Sequence, residues 1–160
     1  MKKIALILLL FSISCATNEK KNNSKNIETP KVSIEKTLDD WHQAAAEAQF
    51  KSYFDLMDSD AIFVGTDPKE VWNKSDFMAF SKPYFDKGKA WKFTKINRNI
   101  HLSKDKKIAW FDELLNTWMG TCRGSGVLVS KNNKWLIKHY VLSVTVPNNK
   151  IKSVIKTMAL

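Results

Sequence analysis

The sequence is poor in residues that mark several large function classes. Two cysteines in 160 residues cannot build a disulfide framework, and five glycines leave no glycine-rich phosphate loop. No apolar run approaches the roughly 20 residues that a helix needs to cross a hydrocarbon core of about 30 Å. The histidines, His42, His101 and His139, lie far apart with no cysteine or acid cluster at ligand spacing, so neither a metal nor a cofactor is expected. A GxSxG elbow and a Cys–His pair are missing as well. The formal charge of +10 comes from scattered lysines with only two arginines. That distribution argues against nucleic acid as a partner and for a solvated surface attracted to anionic lipid or ligand.

What is present begins with a secretory pattern. Met1-Lys2-Lys3 opens the chain, Ile4 to Phe11 is a short apolar run, and Ser12, Ile13 and Ser14 lead into Cys15. This resembles the lipobox of bacterial lipoproteins, with Ser12 standing where that pattern usually has an aliphatic residue. The resemblance implies a signal peptide over 1–14, lipidation of Cys15, and export to the cell envelope, anchored to membrane lipid through the acylated cysteine. A tether follows over 15–33, rich in Lys and Asn, which cannot bury enough surface to offset its ordering entropy. With Cys15 acylated, Cys122 has no intrachain partner and reads as a small buried hydrophobe.

The rest suffices for one domain over 34–150 with a real core: 44% of the sequence is apolar, including six Trp and nine Phe. Ile34, Leu38, Trp41, Ala45 and Ala48 keep a three-four spacing, and Phe50, Tyr53, Phe54 and Met57 extend it. One bent helix or two short ones are therefore predicted over 34–57, with Thr37 and Asp40 as a capping pair. Ala61 to Val64 reads as a strand, Gly65 to Pro68 as a turn, and Ser75 to Lys87 as a helix kinked at Pro83 and stopped by Gly88. Four long β-rich runs follow, Trp91 to Leu102, Ile108 to Met119, Thr121 to Val129 and Trp135 to Val146, separated by short polar turns. Residues 151–160 form a C-terminal tail with helical potential. Helices first and a curved antiparallel meander second make an α+β fold with helices on one face of the sheet.

This order, together with GTDPKEVW at 65–72, PYFDKGKAW at 83–91, AWFDE at 109–113, CRGSGVL at 122–128 and VPN at 146–148, resembles the SnoaL-like group of the nuclear transport factor 2-like (cystatin-like) superfamily. The resemblance implies a conical sheet wrapped around a pocket and a homodimer formed through the open sheet. It implies little about activity, because this fold hosts isomerases, cyclases, dehydratases and binding or assembly domains.

Three places carry candidate chemistry. Strand alternation puts Ile108, Trp110, Asp112 and Leu114 on one face and Ala109, Phe111, Glu113 and Leu115 on the other. If the Asp112 face looks into the cone, as the resemblance suggests, desolvation makes Asp112 a candidate general base. The plainer reading is a structural pair of Asp112 or Glu113 with Arg98 or Arg123. Arg123, ahead of Gly124-Ser125-Gly126, is a candidate carboxylate anchor beside a bulge or close approach, or a salt-bridge partner of Asp112, Glu113 or Glu70. The stretch from Gly65 through Thr66, Asp67 and Glu70 to Trp72 is a candidate rim of the cone, with Asp67 alternatively closing a local turn. The six tryptophans, Trp72 and Trp110 among them, are either pocket floor or core, and Tyr140 alternates with Lys138 and Leu142 so as to point inward.

The reading is a membrane-anchored domain that binds a small, partly apolar molecule in an aromatic pocket. An isomerase or dehydratase using Asp112 as base, with Tyr140 or Arg123 stabilising an oxyanion, is the alternative, as is a dimeric assembly domain without ligand. Dimerisation is expected to use an outer sheet face carrying Phe111, Leu115 and Ile137.

Overall fold

The computed structural model describes residues 29–158. The signal peptide, Cys15 and most of the tether lie outside them. Thr29 is the N-cap of α1 (Pro30–Ala46): its hydroxyl accepts from the Val32 N–H at 3.4 Å, and Pro30 occupies the first turn, where its missing N–H costs nothing. The helix thus begins before residue 34, and residues 30–33, assigned to the tether from composition, form its first turn. The Thr37–Asp40 cap does not occur. Thr37 instead donates to the Ser33 carbonyl within the helix, and Asp40 pairs with Lys36. A cap must precede its helix, and the Thr29–Pro30 pair supplies one further upstream.

Ile34, Leu38, Trp41 and Ala45 form the buried stripe of α1, joined by His42. Ala48, just past the helix, takes a left-handed φ of 53° and divides the helical region in two, with α2 at Phe50–Asp55 burying Tyr53 and Phe54. Strand β1 (Met57–Val64) is longer than the Ala61–Val64 segment expected. It forms a hairpin with β2 (Val71–Asn73), an element that three residues are too few to announce by alternation. Asn73 then caps α3 (Lys74–Asp86), its side-chain oxygen accepting from the Asp76 N–H at 2.9 Å, and Gly88 follows the helix with φ 66°.

The remaining strands are β3 (Thr94–Leu102), β4 (Ile108–Thr117), β5 (Gly120–Lys131) and β6 (Lys134–Val144). They form the expected antiparallel meander. The sheet closes in the order β2-β1-β6-β5-β4-β3, with β1 running parallel to β6. Helices α1 and α3 cover the concave face, α1 against β3 and β6 and α3 against β1. The described residues end in a 3-10 turn and α4 (Ile151–Met158), which buries no residue and exposes Ile151, Ile155 and Met158.

Register settles which strand faces look inward. One inner row runs Ile100, Phe111, Gly126, Tyr140, and the next runs Arg98, Glu113, Gly124, Leu142. The outer row between them is Asn99, Asp112, Ser125, Val141. Gly124 and Gly126 of β5 therefore serve close approach on the concave side: a Cβ at 126 would lie 2.3 Å from the His139 carbonyl oxygen, and one at 124 would lie 2.3 Å from the Tyr140 hydroxyl. The bulge falls later, between Val127 and Leu128.

Candidate functional site

Ala109, Phe111, Glu113 and Leu115 are buried, whereas Trp110 is 47% exposed and Asp112 half-buried. Asp112 and Trp110 therefore sit on the convex face, where Asp112 accepts from the Asn99 amide at 3.1 Å and Trp110 stacks on His101. Arg123 is exposed on the same face, opposite Leu114, and makes no ion pair with Asp112 among the described residues. The expected Asp112–Arg123 patch inside the pocket is overturned. The physical reason is that both faces of β4 carry three apolar residues and one acid, so alternation cannot rank them. The partners can, because only Glu113 faces a cation and an imidazole on neighbouring elements. The convex face is correspondingly lined by Ile108, Trp110, Leu114, Val127 and Val129, while Phe111, Leu115 and Ile137, expected there, are core.

Glu113 is fully buried at the centre of a polar network. One carboxylate oxygen is 2.7 Å from His42 Nε2 and accepts from the Tyr140 hydroxyl at 3.3 Å; the other takes Arg98 Nε at 2.8 Å. Arg98 also reaches Asp39 at 2.8 Å and Glu35 at 3.2 Å, and Lys95 joins the same two acids. Burial alone would raise the Glu113 pKa. His42 and Arg98 outweigh it and hold the carboxyl below its ordinary range. Tyr140, desolvated and facing a carboxylate, is pushed up and stays a neutral donor. Tyr140 points inward as expected, but into this network.

The cavity of the cone opens elsewhere, at the end where the β1–β2 connection, α3 and the β4–β5 turn meet. It holds about 150 Å³ and is walled by Phe63, Phe77, Trp91, Phe93 and Leu142, with Gly65, Thr66, Glu70, Trp72, Phe80, Trp118 and Met119 towards the rim. Trp72 stacks on Phe80 at 4.9 Å between centroids, and Phe77 on Trp91 at 5.7 Å. Trp118 is 83% exposed. Thr66 lines the cavity and its hydroxyl approaches the Met119 sulfur at 3.9 Å. Asp67 closes the local turn by accepting from the Lys69 N–H at 2.8 Å and does not reach the cavity wall. Glu70, within the stretch read as a candidate rim and otherwise as an ion-pair partner of Arg123, is the acid at this site. Its carboxylate accepts from the Asp67 N–H at 3.2 Å and has no lysine or arginine partner among the described residues.

Of the seven sequence candidates for the pocket, Thr66 and Trp72 line it, Asp67 closes the neighbouring turn, Tyr140 is in the buried network, and Trp110, Asp112 and Arg123 lie outside. Sequence reasoning missed the role of His42. The signal available was its place beside Trp41 on the buried stripe of α1, together with a β3–β4 hairpin centred on Asp105-Lys106, which sets Arg98 opposite Glu113.

Residues 34–147 match the family model described as a SnoaL-like domain. Solved structures with the same fold include a cystatin-like domain of unknown function from Nostoc punctiforme, at 11% identity over 82% of this chain and 86% of that one, with a TM-score of 0.64. An NTF2-like protein from Cytophaga hutchinsonii aligns at 15% identity over 70% of this chain and 95% of its own, with a TM-score of 0.59. The association domain of the CaMKII of C. elegans aligns at 19% identity over 71% and 95%, with a TM-score of 0.56. No curated protein matches the sequence.

Proposed function

This chain belongs to the SnoaL-like domain family of the nuclear transport factor 2-like superfamily, and from that premise we propose that it is an envelope-anchored binding module which takes a small, partly apolar molecule into the mouth of its cone. The observation that carries the proposal is the cavity itself: about 150 Å³, open, largely apolar and rich in aromatic rings, with one acid at its rim. Concave apolar sites with few polar groups are the usual form of small-molecule sites. Lipidation of Cys15 would hold the module at a membrane, with the tether giving it reach.

The enzymatic alternative loses the base that the sequence offered for it. Asp112 is on the convex face, and Glu113 is an ion-paired carboxylate held below its ordinary pKa, the opposite of a poised general base. Dimerisation is favoured by the convex apolar face of Ile108, Trp110 and Leu114, and two similar structures are described as association domains. A two-fold dimer through that face leaves the cone mouth free.

Native mass spectrometry of the protein purified from its own cells tests the binding reading. A co-purifying small molecule is expected on the wild type and absent from Thr66→Trp, which fills the rim. Equal loading of both forms would place binding elsewhere.

A further inference from the structure

Resting on that pocket reading, we infer that the mouth of the cone takes the alkylated ammonium group of an organic cation. Aromatic faces carry the negative end of a quadrupole and attract cations, most of all when several converge on one site. Three tryptophans, Trp72, Trp91 and Trp118, contribute to this cavity, and Trp118 stacks on no other ring among the described residues.

Charge selects in the same direction. The chain has 26 Lys and Arg against 16 Asp and Glu, yet the cavity lining includes no base and a single acid, Glu70. The carboxylate is held there by Gly65: a Cβ at that position would fall 2.1 Å from Glu70 Oε2, so only glycine lets the acid lie against the backbone at the rim. One backbone N–H is its sole hydrogen-bond donor among the described residues, which leaves it a charge without a counterion.

Alkylation follows from the scarcity of acceptors. A primary ammonium brings three N–H donors that need partners once desolvated. Beside Glu70 the lining offers little more than the Thr66 hydroxyl, already turned to Met119. A quaternary nitrogen has no N–H to satisfy and presents methyl groups to the rings. A cavity of this volume accommodates one benzene-sized group, comparable in bulk to a trimethylammonium head, and the open rim lets the remainder of the ligand extend outward.

The test titrates the full chain, in a maltoside detergent free of choline headgroups, with choline and with dimethylbutanol, the neutral isostere in which carbon replaces nitrogen. Tryptophan fluorescence reads binding. Choline is expected to bind about tenfold or more tightly than its isostere, a difference of about 1.4 kcal/mol. Glu70→Gln is expected to reduce that preference while keeping the isostere's affinity, and Trp118→Ala to weaken choline. Equal affinities for the two probes would overturn the cation inference and leave the pocket reading standing. Choline binding untouched by both substitutions would overturn the inference by moving the cation elsewhere. Binding of neither probe would overturn the inference and count against the pocket reading as well.

Discussion

Glu113, on the concave face of the sheet, and Glu70, in the β1–β2 connection at the rim, are both carboxylates, and their surroundings are opposite. Glu113 is sealed from water and satisfied by His42, Arg98 and Tyr140; Glu70 sits at an open rim with a single backbone N–H. A buried charge without partners would destabilise the fold, so the heart of the cone is matched internally. An unmatched charge is tolerable only where water or a ligand reaches it. The contrast separates what holds this molecule together from what it can recognise, and substitutions in the two regions should therefore fail differently.

The largest effect is expected at the heart. Arg98→Met leaves Glu113 buried with only His42 and the Tyr140 hydroxyl, and unfolding in urea should show a loss of about 3–5 kcal/mol. Adding Glu113→Met removes the stranded charge, so the double variant should lose less than the sum of the two single ones. Strict additivity would mean that the network is not coupled.

The glycines give an intermediate test on both sides. Gly126→Ala drives a Cβ into the His139 backbone carbonyl, which cannot swing aside, and should cost about 1–3 kcal/mol. Gly65→Ala meets the far end of the Glu70 side chain, which can swing aside, and also Glu70 Cβ at 2.9 Å, which must shift with its backbone, so stability should fall by about 1 kcal/mol, less than at Gly126, while the preference for choline over its isostere falls. A reversed order of stability losses would contradict the division.

Acid should act on the matched charges. The Glu113 and Asp39 carboxyls lie below their ordinary values: burial opposes the shift in both, outweighed by His42 and Arg98 for the first and by Lys95 and Arg98 for the second. Asp58 is lowered to about 2, with burial again opposing and Lys131 at 2.6 Å prevailing. Groups depressed in the folded state stabilise it above their unfolded pKa, and that contribution is lost as pH falls through the folded one. The urea midpoint should therefore be flat above about pH 5 and fall below it, with Asp58→Asn flattening the limb between 3.8 and about 2. An unchanged slope in that variant would remove Asp58 from the account.

The smallest stability effect belongs to the rim. Trp118 is largely solvent-exposed, and Trp118→Ala should shift stability by no more than about 0.5 kcal/mol. A larger loss in a thermal melt would make the residue part of the scaffold.

The fold was largely legible because long alternating runs and a three-four stripe leave few arrangements for a chain of this length. The parallel β1–β6 pairing was not, since it joins segments distant in sequence, and β2 is too short to alternate. At the site, the Gly65–Trp72 stretch, a candidate rim by its sequence, contributes Gly65, Thr66, Glu70 and Trp72 to the cavity lining, because a turn between strand and helix must lie at one end of a cone. Asp112 and Glu113 were inverted because adjacent acids on one strand differ only in their partners, and His42 comes from a helix some seventy residues away.

The six tryptophans allow the most direct test. Trp72, Trp91 and Trp118 line the mouth, while Trp41 and Trp135 lie in the core and Trp110 on the convex face. Each indole N–H gives its own resonance in a proton–nitrogen correlation spectrum. Titration with choline should move the three mouth signals and leave the other three in place. Movement of the Trp110 signal with the mouth silent would contradict the assignment of binding to the mouth of the cone.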